Sequence, residues 1–170
     1  MMAVLTAGCG RKMEVFRGRL IEKSELSTPK DASPLPSEFL STCGSPTNPQ
    51  LAAGFSHYQR QQYDSCRVSL EDVLGQYPSE WRAHYLLGLL DYQGQDFGQA
   101  ERNLLAALRF VPLQTQCRAP VYLALGMTLE QKGEYARSKQ HFLTALNLDS
   151  TSVEAKNGLD RLTSLTSVEP

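Results

Sequence analysis

The chain has 170 residues and a formal net charge of −1, with 17 Lys and Arg against 18 Asp and Glu. That length suits one domain of about 100–200 residues. Dispersed, balanced charge gives no basic field for a nucleic acid and reads as solvated helical surface, and no apolar run approaches the ~18 residues a membrane-spanning helix needs.

The chain opens Met1-Met2-Ala3-Val4-Leu5-Thr6-Ala7-Gly8-Cys9-Gly10. Thr6-Ala7-Gly8-Cys9 resembles the lipobox of bacterial lipoproteins, in which small residues lead a cysteine into a signal peptidase cleft and the thiol takes a diacylglyceryl group. The resemblance implies lipidation of Cys9, with residues 1–9 the remnant of a signal. Gly10 then implies sorting to the outer membrane of a Gram-negative cell, on its periplasmic side. The pattern departs in two ways: threonine stands where leucine is commoner, and the eight preceding residues lack a basic start. The lipoprotein reading therefore expects a start upstream of Met1; the alternative is a chance match at a cytoplasmic N-terminus.

Residues 10–46 read as a Pro/Ser-rich tether, with Pro29, Pro34, Pro36 and Pro46 among Ser24, Ser27, Ser33, Ser37, Ser41 and Ser45. Within it, Met13–Leu26 mixes Met13, Val15, Phe16, Leu20 and Ile21 with charges at a period that leaves strand and helix both open.

From residue 47 a frame repeats. Gly54, Gly88 and Gly126 are each followed by a small residue twelve positions on (Cys66, Ala100, Ser138). Sixteen positions on comes a large apolar residue (Leu70, Leu104, Phe142), and then a pair at nineteen and twenty (Val73-Leu74, Ala107-Leu108, Ala145-Leu146). Pro78 and Pro112 close the first two copies, with Ser150 in the third. A repeat of this period marks a solenoid.

The frame resembles the tetratricopeptide repeat (TPR), two antiparallel helices per 34 residues. It predicts an all-α solenoid over residues 47–165, with repeats near 47–80, 81–114 and 119–152, a capping helix near 152–165 and a tail of 166–170. Small residues let the paired helices approach, Tyr63, Phe97 and Tyr135 wedge the turns, and the prolines stop the second helices. Residues 112–119 read as a longer loop between the second and third repeats. Thr151 and Ser152 are candidate caps for the last helix, and Val153, Ala155, Leu159, Leu162 and Leu165 form its apolar stripe. Asp91 and Ser150 depart from the usual types.

By the same resemblance, the first helix of each repeat lines a concave groove. Its slots hold Leu51, Phe55, Tyr58 and Gln59; Arg82, Tyr85, Leu89, Tyr92 and Gln93; and Leu123, Met127, Glu130 and Gln131. The partner-binding candidates are Phe55, Tyr58, Arg82, Tyr85, Leu89, Tyr92, Leu123 and Met127, because clustered exposed aromatic and apolar groups mark binding faces. Chaperone-binding members clamp a terminal carboxylate with lysines and asparagines at such slots. Leu51, Phe55, Tyr85, Leu89, Leu123 and Met127 stand there instead. The expectation is a non-enzymatic adaptor holding a peptide or helix of another protein, tethered to a membrane through Cys9. The alternative is a cytoplasmic structural or self-associating module whose groove is filled by its own N-terminal segment.

Neither a phosphate loop nor a nucleophile elbow is present, so no catalytic residue and no cofactor is expected. His57, His84 and Asp91 occupy inter-helix packing slots, and hydrogen-bonded packing is the stronger reading than a metal site. Cys66 fills a small core slot and reads as a buried inert thiol. Cys43 and Cys117 each precede the first helix of a repeat, two repeats apart. That separation argues against a bridge, which needs Cα atoms within ~7 Å, unless the tether folds back in an oxidising space.

Overall fold

A computed structural model describes residues 48–166, together with Cys43 and the backbone of residues 6–7, 11–16 and 19–22; the side chains of 165 and 166 lie outside it. The chain divides into two units at Pro34/Leu35. In the first, strands β1 (Thr6–Ala7), β2 (Arg11–Phe16) and β3 (Arg19–Glu22) form an antiparallel sheet in the order β1-β2-β3. Val15 pairs with Leu20 and Glu14 with Ile21. The period left open by the sequence over Met13–Leu26 is thus that of strands in its first part.

The second unit holds seven helices among the described residues: α1 (Pro49–Gln59), α2 (Tyr63–Gln76), α3 (Trp81–Gln93), α4 (Phe97–Phe110), α5 (Thr115–Gln131), α6 (Tyr135–Leu148) and α7 (Val153–Thr166). They form three helix pairs and a closing helix, each packing on its neighbours in the chain. Starts are capped by the residue types that accept from free N–H groups. Asn48 accepts from Gln50 N at 2.8 Å, Asp96 from Gln99 N at 2.9 Å, and Ser152 from Ala155 N at 3.3 Å. The helices α2 and α4 stop at Gln76 and Phe110, two residues before Pro78 and Pro112.

The glycine frame is the packing frame. A Cβ on Gly54 would meet Leu70 at 2.9 Å, one on Gly88 would meet Leu104 at 2.7 Å, and one on Gly126 would meet Phe142 at 2.6 Å. In every repeat the residue sixteen positions on lies against the glycine. The small slot twelve positions on does more than save space: Cys66 Sγ donates to Gly54 O at 3.2 Å and Ser138 Oγ to Gly126 O at 2.7 Å. Each turn between paired helices also places one residue in the left-handed region, at equivalent positions: Gln61 (φ 60°), Gln95 (φ 63°) and Gly133 (φ 77°). Only the third repeat uses the residue that adopts this conformation freely.

One expectation is corrected here. The insertion before the third repeat is mostly helix, not loop: α5 begins at Thr115 and carries Pro120 inside it. Pro120 is the sixth residue of that helix, past the free N–H groups of its first turn, so the helix continues through it with one backbone bond fewer.

Candidate peptide-binding groove

The first helices α1, α3 and α5 carry the predicted groove residues. Leu51, Phe55, Tyr58, Tyr85 and Tyr92 are buried, while Arg82, Leu89, Leu123 and Met127 are half-buried and Gln59 and Gln131 exposed. The aromatics were expected to be exposed, but Tyr85 keeps only 5% of its surface and Tyr92 8%. Neighbouring first helices lie close enough to share them. Gln93 of α3 donates to Tyr58 OH of α1 at 3.1 Å, and Tyr92 stacks edge-on against Phe97 at 5.7 Å.

Burial, with Tyr63 and Cys66 nearby, pushes the Tyr58 phenol up to about 12 against the pull of the Gln93 hydrogen bond. Burial, and then the charge of Glu130, pushes Tyr92 to about 12 as well, and burial raises Tyr85. All three are neutral phenols at physiological pH. They contribute shape and hydrogen bonding rather than charge.

By the slot pattern, the face toward the third repeat holds Leu89, Leu123 and Met127, all half-buried, with Gln93 half-buried and Gln131 exposed; Leu89 packs on the core cluster that runs through the first two repeats into α5. Leu123 and Met127 also pack on the cluster of Phe142, Ala145, Ala155 and Leu162. Arg161 of α7 donates to Glu130 of α5 through two hydrogen bonds of 2.8 Å, which ties the closing helix to the first helix of the third repeat.

The end at which the first helices begin overturns an expectation. Cys43 and Cys117 are bridged, with Cα atoms 5.6 Å apart. The argument from repeat spacing failed because neither cysteine is where it was placed. Cys117 is inside the first turn of α5, and the chain at Cys43 lies over α3, whose Arg82 donates from Nη2 to Cys43 O. Arg82 is therefore engaged by the protein's own backbone. It also pairs with Glu80 at 3.2 Å and lies over the Trp81 ring, 4.8 Å from its centroid. The signal available in the sequence was a cysteine in an insertion that the other repeats lack.

The remaining candidates are placed individually. His57 Nδ1 contacts Gln62 Oε1 at 2.7 Å and His84 Nε2 contacts Pro78 O at 2.9 Å. Asp91 accepts from Arg67 of α2 at 2.6 Å and from Asn103 of α4 at 2.7 Å. The three are not brought together, and among the described residues no group of three His, Cys, Asp or Glu could hold a metal. Burial pushes the Cys66 thiol up to about 11. Cys9 lies outside the described residues.

No curated protein is similar to the chain in sequence. The family model of the tetratricopeptide repeat matches residues 119–152. Among solved structures, the first TPR of Spaghetti (RPAP3) bound to the HSP90 peptide SRMEEVD is similar with a TM-score of 0.63 and 15% identity. It covers 69% of this chain and 90% of its own. The Arabidopsis OM64 TPR domain gives 0.62 and 18%, covering 68% and 92%. The first TPR domain of human RPAP3 gives 0.61 and 15%, covering 69% and 90%. The repeated glycine contacts, the three helix pairs with their closing helix, and these likenesses identify residues 48–166 as a tetratricopeptide-repeat solenoid.

Proposed function

We propose that this protein is a non-enzymatic adaptor whose concave face holds an apolar segment of another protein. The observation that carries the reading is the half-buried row Leu89, Leu123 and Met127, with the amides of Gln93 and Gln131 beside it to meet a backbone. The apolar surface these side chains leave exposed is what a partner's apolar segment would remove from water. The peptide bound by the first TPR of Spaghetti is acidic. Here Glu130 stands in the groove margin, neutralised by Arg161, and the open row carries no lysine, so the fitting segment is apolar rather than acidic.

The test is recovery of partners from the native cells with wild-type protein and with Leu89→Arg/Met127→Arg, its helicity first checked by circular dichroism. Loss of one partner from the folded variant supports the reading. A folded variant that keeps every partner contradicts it.

A second reading, that the chain fills its own groove, is favoured by the Arg82 contact to Cys43 O and the burial of Tyr85. It predicts that no partner depends on Leu89 or Met127, and that the same substitutions lower thermal stability instead.

The bridge also bears on the compartment we propose. Disulfides persist in oxidising spaces, so Cys43–Cys117 supports a periplasmic or other extracytoplasmic site over the cytoplasm. This agrees with lipid attachment at Cys9 to an outer membrane. Cys9→Ser should move the full-length protein from the membrane to the soluble fraction; unchanged partitioning contradicts the anchor.

A further inference from the structure

We infer that the charges between repeats alternate in sign so as to fix the order in which the three repeats stack and to keep each from stacking on a copy of itself. Stacking sets the second helix of one repeat against the first helix of the next: α2 packs on α3, and α4 on α5. The slot thirteen residues after the repeat glycine reaches across each junction. In the first repeat it holds Arg67, which pairs with Asp91 of α3 at 2.6 Å. In the second it holds Glu101, which accepts from Arg137 of α6 at 2.7 Å and from Lys132 at the end of α5. Glu134 pairs with both of those bases and closes a network around the α5–α6 turn. The junctions therefore have opposite polarity, a base facing an acid in one and an acid facing bases in the other. Their inner acids are well covered, the Asp91 side chain being 4% exposed and that of Glu101 12%.

Repeats of one shape can also stack in the wrong order or across chains, a characteristic failure of repeat proteins. Like charges set against each other in a wrong junction suppress it. The third repeat stacked directly on the first would set Lys132 and Arg137 against Arg67. A second copy of the middle repeat would set Asp91 against Glu101. The third repeat carries exposed Lys139 at the reaching slot, and a second third repeat would meet it with Lys132 and Arg137. A second first repeat would bring Arg60, the counterpart of Lys132, toward Arg67. One polarity at both junctions would join the native array equally well, yet it would make the first three of these wrong junctions complementary.

The test refolds full-length, oxidised protein from urea at about 50 μM, where exposed repeats associate. The non-covalent oligomer fraction is measured by size-exclusion chromatography with light scattering. Wild type is compared with a reversed variant, Glu101→Arg/Lys132→Glu/Glu134→Lys/Arg137→Glu, which keeps the network's internal pairing but gives both junctions one polarity. The neutralised control is Glu101→Gln/Lys132→Gln/Glu134→Gln/Arg137→Gln. Simple loss of native contacts would put more oligomer in the control. The alternating charges predict the reverse, at least about threefold more oligomer in the reversed variant than in the control. In about 1 M NaCl, where charges are screened beyond about 3 Å, the excess should vanish. A reversed variant with no more oligomer than the control, or an excess that survives the salt, overturns the inference. If the reversed variant does not regain wild-type helicity, the wild type decides: its oligomer fraction must rise in the salt toward that of the control, and a fraction unchanged by salt overturns the inference.

Discussion

Phe142 makes the sharpest demand on the repeat geometry. Its ring is fully buried in α6 between two glycines, Gly126 of α5 and Gly158 of α7. A Cβ at Gly126 would lie 2.6 Å from Cδ1 and 2.7 Å from Cε1, whereas ordinary contact begins near 3.4 Å. The ring cannot retreat, because a Cβ at Gly158 would meet its other edge at 2.6 Å. Gly126→Ala must therefore move a helix, at about 1–3 kcal/mol for overpacking. Against this, alanine in a helix interior gains up to about 1 kcal/mol over glycine. The net expectation is a loss of up to about 2 kcal/mol. For a domain of roughly 120 residues that lowers the midpoint by up to about 8 °C. Gly75→Ala is the control, since its Cβ meets nothing within 4 Å and the substitution should stabilise by about 0.5–1 kcal/mol. Urea and thermal unfolding of the pair measure both signs. A Gly126→Ala protein at least as stable as wild type would refute the close-crossing argument.

Removing the bridge by Cys43→Ser/Cys117→Ser should cost about 2–5 kcal/mol in denaturant, as expected for a long closed loop; a loss below about 1 kcal/mol would show that it is not formed. Gln95→Gly should stabilise by up to about 1 kcal/mol by relieving its left-handed backbone, and Gly133→Ala should destabilise by a similar amount; equal midpoints for both would contradict the turn assignment. Glu101 is partly buried, which raises its pKa, but hydrogen bonds from Lys132 and Arg137 outweigh this and hold it below the ordinary carboxylate range. Its contribution is thus present above the unfolded value near about 4.3 and lost as pH falls through the lower folded one; Glu101→Gln should flatten the acid limb of the stability curve. Cys66 should resist alkylation at neutral pH in folded protein and react on unfolding, and rapid labelling of native protein at Cys66 would contradict its burial.

What the sequence revealed was local to the repeat. The pairing of Gly54 with Leu70, Gly88 with Leu104 and Gly126 with Phe142 is set by two helices joined by a short turn, so it recurs at fixed offsets. Features that depend on chain outside the frame were hidden. The bridge required knowing that Cys43 lies against Arg82 of α3, which no periodicity reports. The burial of Tyr58 and Tyr85 depends on how adjacent first helices share side chains, and a slot diagram of one repeat does not contain that. Asp91 stood out as a departure from the frame, but its partner Arg67 lies on the preceding repeat's second helix, and charge alone does not select it. The displacement of the third repeat suggested a loop over residues 112–119, whereas most of the added residues lengthen α5 at its start.

The central claim, that the concave face receives a segment of another protein, is tested most directly by photo-crosslinking in the native cells. A photoreactive residue at Gln131, an exposed slot of the proposed groove, is compared with one at Val68, 60% exposed on the second helix of the first repeat. The account predicts that Gln131 cross-links to a single apolar segment of one other protein and Val68 does not. Cross-links from Gln131 that map only to residues of this chain before Cys43, or the same partners captured equally from Val68, would contradict it.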